Sequence, residues 1–183
     1  MMNNREAILS SAAYELRAAA LKTTSAAGSG HPTSCMSSAE IMSVLFFEVM
    51  NFDPGRMDYI DNDEFILSKG HAAPILYAAL AGCGAVPEGN LMDLRTYGSI
   101  FEGHPVPLVP GVRSATGSLG QGLSVGLGIA LGMRLQGMER YVYVLSGDGE
   151  MMEGNVWEAM HLAPVLGVSN LFLILDMNRL GQS

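Results

Sequence analysis

The run Gly147-Asp148-Gly149 and the asparagine at Asn178 are the residues whose types and spacing point most directly to chemistry. Asp148 offers a carboxylate between two glycines that let backbone approach a ligand closely, and Asn178 offers an amide oxygen. With a nearby backbone carbonyl such as that of Leu180, they make a hard oxygen set. Mg²⁺ accepts such a set when water and substrate phosphates fill its other positions. The pattern predicts a metal-bridged diphosphate. The same residues have a structural reading, in which Asp148 caps the following helix and Asn178 serves a turn, and spacing alone leaves both open.

Histidines form the second constellation. Of the four in the chain, three follow glycine in expected loops: His31, His71 and His104. A glycine beside an imidazole lets the ring reach a ligand without interference from its neighbour. A three-histidine zinc site is the rival reading, disfavoured by wide spacings and the lack of any H-x-H or H-x-x-x-H pair. His161, one turn beyond Trp157 on an expected helix, reads as a packing residue. The dense turn Gly117-Ser118-Leu119-Gly120-Gln121-Gly122 does not have G-x-G-x-x-G spacing and follows no clear strand, so it is a poor Rossmann fingerprint. Backbone N–H groups brought to a helix start by such a turn would still suit a diphosphate. Glu150 and Glu153 follow the metal loop; a carboxylate there either favours the positive end of the next helix or joins a proton network.

The elements that must position these residues read as α/β. Asn4 to Ala27 is an Ala-rich helix with Ile8, Ala12, Leu16 and Ala20 on one stripe, ended by Gly28-Ser29-Gly30. Ser37 and Glu40 form a capping box, from which an apolar helix should run to about Met50. Glu64 to Leu67 reads as a short buried strand, followed by a helix from about Ala73 with Pro74 in its first turn. A weaker helix is expected near Asn90 to Tyr97. Another should open at the glycine turn and run to about Gln136, with Gly126, Gly128 and Gly132 marking close packing. Tyr141 to Leu145, Asn155 to Leu166 and Leu171 to Asp176 complete a strand-helix-strand unit. Its crossover places the loops after Leu145 and Asp176 at one edge of a mostly parallel sheet flanked by helices, making Asp148 and Asn178 neighbours.

At 183 residues, the chain suits one sizeable α/β core, and 49% hydrophobic against 15% charged residues excludes disorder. Ten basic against eighteen acidic residues leave a net charge of -8, which argues against nucleic acid as a partner. Cys35 and Cys83 form no C-x-x-C pair, so neither a disulfide framework nor a thiolate cage is expected, and a cytoplasmic setting fits best. The N-terminus has no secretory pattern. Ser114 to Met133 carries no charge, but its glycines and polar residues argue against a membrane span.

Taken together, the motifs resemble the transketolase family, in the part of its diphosphate-binding domain that holds thiamine diphosphate. The runs that carry the resemblance are Gly28-Ser29-Gly30-His31-Pro32, Ser68-Lys69-Gly70-His71-Ala72-Ala73-Pro74, Gly103-His104-Pro105, Thr116-Gly117-Ser118-Leu119-Gly120-Gln121-Gly122, Gly147-Asp148-Gly149-Glu150, Glu153-Gly154, Trp157-Glu158-Ala159 and Asp176-Met177-Asn178. The resemblance implies that Asp148, Asn178 and the Leu180 carbonyl hold Mg²⁺ or Ca²⁺, with Gly149 and His71 near the cofactor diphosphate and Lys69 and Ser118 in cofactor-binding loops. It implies that Gly117 and Leu119 flank the thiazolium and aminopyrimidine rings. By the same resemblance, His31 and His104 lie at the substrate carbonyl and hydroxyls, and Glu153 joins a carboxylate network linking two active sites. The implied reaction moves a two-carbon ketol unit from a ketose phosphate to an aldose phosphate, with the cofactor supplying the nucleophile.

Two positions depart from the family pattern. Thr33 stands where many relatives have glycine after the proline, and Asn178-Arg179 replaces the common Asn-Asn. The chain stops at Gly181-Gln182-Ser183, so residues 1–183 are expected to be the N-terminal portion of the diphosphate-binding domain, without the pyrimidine-binding and C-terminal domains. The resemblance then implies a homodimer or a complex with a chain carrying the pyrimidine-binding domain, and inactivity of this chain alone. The alternative is a non-catalytic or assembly subunit related to thiamine-diphosphate enzymes.

Overall fold

A computed structural model describes residues 4–180. The terminal Gly181, Gln182 and Ser183, and the first three residues, lie outside it. Three parallel strands, β1 (Glu64–Leu67), β2 (Val142–Gly147) and β3 (Leu171–Asp176), form a sheet in the order β1-β2-β3. Glu64 pairs with Val142 and Leu67 with Leu145, while Val142 pairs with Leu171 and Gly147 with Asp176. All three carboxy ends therefore point to one edge. β2, in the middle, buries nearly every residue, whereas β3 leaves Phe172 46% exposed.

Each face of the sheet has its own core because strand side chains alternate. Phe65, Leu67, Tyr143 and Leu145 share one cluster with α1 (Asn4–Ala27), α2 (Pro32–Val44) and α3 (Ala73–Gly82). Ile66, Val142 and Val144 share the other with α4 (Gln121–Leu135) and α5 (Gly154–Val165). The layers are helix, sheet, helix, as a parallel sheet requires when both its faces must be covered. Among the described residues, no helix is long and apolar enough to cross a membrane.

Several local expectations change. α2 begins at Pro32, with proline in its first turn, rather than at a Ser37–Glu40 capping box. Proline's fixed φ starts a helix without a side-chain cap, and Ser37 then lies inside the helix with its hydroxyl turned to Asp176. The helix ends in a widened turn over Leu45–Val49, where the Met50 N–H donates to the Leu45 carbonyl at 2.9 Å. In place of a helix near 90–97 there is a 3₁₀ turn, Glu88–Asp93. Leu91 and Leu94 are its buried anchors, and residues three apart eclipse on a 3₁₀ turn. β2 runs two residues beyond Leu145, to Gly147. Of Gly126, Gly128 and Gly132, expected to mark close packing, only Gly126 does: a Cβ there would lie 2.5 Å from Val144 Cγ2, while Gly128 and Gly132 face open space. His161 and Trp157 are on the exposed side of α5, not packed inward as expected.

Candidate cofactor site

The strand tips build the site. Ser68 and Lys69 follow β1, Asp148 and Gly149 follow β2, and Asn178 and Leu180 follow β3. A cleft of about 330 Å³ at this edge is lined by Lys69, His71, Leu119, Asp148, Gly149, Glu153, Asn178 and Leu180, together with Ser34 and Glu150. Open parallel sheets bind ligands outside the carboxy ends of their strands, and this cleft is in that place.

Asp148 and Asn178 line the same cleft, and their loops are bonded to each other. The Asp148 N–H donates to the Asp176 carbonyl at 3.2 Å, and Asp148 Oδ2 accepts the Arg179 N–H at 2.7 Å. Asp148 Oδ1 accepts the Gly149 N–H at 3.0 Å, opening a 3₁₀ turn, and Asn178 Oδ1 accepts the Leu180 N–H at 2.9 Å. The cap and the turn of the structural reading are thus both present, and they aim oxygens at a shared cleft. Arg179 takes a left-handed backbone, φ 60°, which directs its N–H to Asp148. Asparagine tolerates that conformation better than arginine, a physical reason for Asn-Asn at this turn.

The three histidine loops converge as well. The rings of His31 and His71 meet edge to face with centroids 5.2 Å apart, and His71 Nε2 lies 3.0 Å from Ser34 Oγ. Gly117, at φ 133°, gives room to His104, since a Cβ there would sit 2.5 Å from the ring carbon Cδ2. Gly70 lies so close to the same stretch of backbone that a Cβ would come 2.7 Å from the Gly117 nitrogen. Those glycines let two site loops touch backbone to backbone. Among the described residues, no group of three or more His, Cys, Asp or Glu side chains is placed to hold a metal. The zinc reading therefore has no cage to fill.

Burial pushes the His71 imidazole down to about 4, helped by the charge of Lys69 and the nearby His31 and His104. His104 is lowered by burial first, then by Arg95 and His31. Folding holds His71 neutral, while the unfolded chain takes up its proton near pH 6.5. Between these values the unfolded state binds more protons, so stability rises with pH across the window. We expect urea denaturation to show the unliganded chain losing stability as pH falls from about 6.5 to about 4. His71→Asn should flatten that part of the profile. Asp176 adds a loss at still lower pH: burial raises its carboxyl, but hydrogen bonds from Lys69, Ser37 and Ser38 outweigh it and leave it below the ordinary 3.8.

Three of the expected site residues, Lys69, Ser118 and Glu153, differ in how they are held. Lys69 is 1% exposed, and its ammonium donates to Asp176 Oδ2 at 2.5 Å and to the Ser34 carbonyl at 3.0 Å. Ser118 is exposed, and its hydroxyl accepts from Gln121 Nε2 at 3.2 Å. Glu153 is exposed at the cleft rim, whereas Glu150 is 2% exposed and ties three tips together. Glu150 Oε1 accepts from Ser68 Oγ at 2.5 Å and from the Gly120 N–H at 2.6 Å, and Oε2 accepts from the Gly147 N–H at 3.2 Å. The N–H of Gly120, the residue before α4, is therefore used by this carboxylate, not offered to an anion. Ser34, Ser37 and Asp176 also belong to the site's framework. No spacing in sequence reveals this role, because their partners are more than thirty residues away.

The oxygen donors at the tips, the neutral imidazole and the cleft volume fit a diphosphate held through a divalent ion. A helix-sheet-helix layer with such a site defines a diphosphate-binding α/β domain. The family described as "Transketolase, thiamine diphosphate binding domain" matches residues 8–182, and the chain belongs to that family. It is 52% identical over 176 residues to a transketolase from Pongo abelii and 51% identical to one from Homo sapiens, covering 96% of this chain and 28% of each relative. It is 42% identical over 161 residues to one subunit of an apulose-4-phosphate transketolase from Actinobacillus succinogenes, covering 87% of this chain and 58% of that one. Among solved structures, a transketolase from Campylobacter jejuni superposes with TM-score 0.90 at 32% identity, covering 98% of this chain and 29% of that chain. The chain thus spans less than two thirds of each of these relatives.

Proposed function

We propose that this chain is the N-terminal portion of a transketolase-type enzyme and supplies the diphosphate-and-metal half of its active site. Asp148, Asn178 and the Leu180 carbonyl would hold Mg²⁺ or Ca²⁺, with Gly149 and His71 beside the diphosphate. When bound, thiamine diphosphate supplies the nucleophile that splits a ketose beside its carbonyl. His31 and His104 would bind and exchange protons with the sugar carbonyl and hydroxyls; the buried His31 Nδ1 has no hydrogen-bond partner among the described residues. Gly117 and Leu119 would flank the cofactor rings, and Glu153 would join a carboxylate network reaching a second site. The reaction proposed is transfer of a two-carbon ketol unit between sugar phosphates.

The observation that carries this reading is the convergence of Asp148, Gly149, Asn178, Leu180 and His71 on one cleft at the carboxy edge of the sheet. The remaining pieces would come from a homodimer or from a chain bearing the pyrimidine-binding domain. The Actinobacillus relative, itself one subunit of an enzyme, supports a divided arrangement. Calorimetry tests the first half: thiamine diphosphate is expected to bind in Mg²⁺ and to lose its heat in excess chelator. Ketol transfer is expected only after a chain with the pyrimidine-binding domain is added. Turnover by the purified chain alone, or binding indifferent to Mg²⁺, would refute the proposal.

A further inference from the structure

Ser37 sits in α2, outside the runs that carry the family resemblance, yet its hydroxyl lies between two strand-tip residues. It is 2.6 Å from Asp176 Oδ2 and 3.3 Å from Asn178 Nδ2, with the Ser34 carbonyl also at 3.3 Å. A hydroxyl has one proton to give. The close carboxylate, which accepts the stronger charge-assisted bond, takes it in preference to the more distant carbonyl. Toward Asn178 the Ser37 oxygen can then only accept, so the amide must present its NH₂ end there. The other end, Oδ1, is left facing Leu180 and the cleft, where it accepts the Leu180 N–H at 2.9 Å.

We infer that Ser37 is a positioning residue that fixes the Asn178 amide with its oxygen, not its nitrogen, turned to the cation. Asp176 makes this possible by holding the hydroxyl proton, and Lys69 and Ser38 anchor that carboxylate on the same oxygen at 2.5 and 3.0 Å. The chemistry matters because Mg²⁺ takes oxygen ligands and has little use for an amide NH₂. Partners that orient a metal ligand commonly change affinity by about ten- to a hundredfold. The inference rests on the metal reading above, in which Ser37 is not one of the ligands.

The test uses the full chain with Ser37→Ala, Ser37→Thr and Asp148→Asn, titrating Mg²⁺ at fixed thiamine diphosphate by calorimetry. Side-chain amide NMR of Asn178, assigned with Asn178→Asp, gives a readout independent of binding. Ser37→Ala is expected to weaken the apparent Mg²⁺ affinity by about tenfold and to abolish slow exchange of the Asn178 NH₂, with the backbone spectrum otherwise kept. Ser37→Thr, which keeps the hydroxyl, is expected to restore both. Full Mg²⁺ affinity in Ser37→Ala, alongside loss in Asp148→Asn, overturns the role of Ser37 and leaves the metal site standing. A threonine as weak as alanine overturns it too, since packing would then explain the loss. No Mg²⁺-dependent heat in the unsubstituted chain overturns the metal reading and this inference together.

Discussion

Asp148→Asn is expected to weaken Mg²⁺-dependent binding of thiamine diphosphate by about a hundredfold or more, while the chain stays folded. The substitution removes the single carboxylate among the proposed ligands. Changing an outer-shell partner alone costs about ten- to a hundredfold, so loss of a charged direct ligand should cost at least the upper end. The effect on stability is small by comparison. Asp148 is half-buried at a loop tip and accepts two backbone N–H groups, from Gly149 and Arg179. An asparagine oxygen can keep one of these, so the loss is about 1 kcal/mol. Titration calorimetry checks the first number and urea denaturation the second. Equal affinity in the two chains would remove Asp148 from the metal site.

Lys69→Met is expected to destabilise the fold by about 3–5 kcal/mol, the range for removing one partner of a buried ion pair. Lys69 and Asp176 are 1% and 5% exposed, so no water can replace the lost ammonium. Ser37 and Ser38 still donate to the stranded carboxylate and place the result toward the lower end. Lys69→Met with Asp176→Leu should recover much of the loss, because neither charge is then buried without its partner. Equilibrium urea unfolding of the two variants reads the difference. A double variant no more stable than the single one would show that the pair is held by something other than its mutual charge.

The strands and long helices were legible because their apolar residues keep a period that survives any packing. The helix from Asn4 to Ala27 and the strands from Glu64 to Leu67 and from Leu171 to Asp176 appear at their expected ends. The start of α2 was not legible in the same way. Ser37 and Glu40 satisfy the pattern of a cap, but each has a better partner far along the chain: Asp176 for the serine and Arg17 for the glutamate. The short turn at Glu88–Asp93 was misread for a related reason, since two leucines three apart satisfy a 3₁₀ turn as well as a helix.

Composition, periodicity and motif order were enough for the element types, for the parallel crossover that brings Asp148 beside Asn178, and for the family to which the chain belongs. The first two are local properties, and motif order is written along one dimension. The groups that hold the site in shape emerged from packing alone: Lys69 on Asp176, Glu150 beneath three loop tips, and Ser37 against the Asn178 amide. Apart from the short turn between Glu150 and Gly147, these bonds join residues 30 to 141 positions apart, and no spacing rule reaches that far. A buried charge takes whichever partner packing delivers to it, because leaving it unpaired costs more than any local preference can offset.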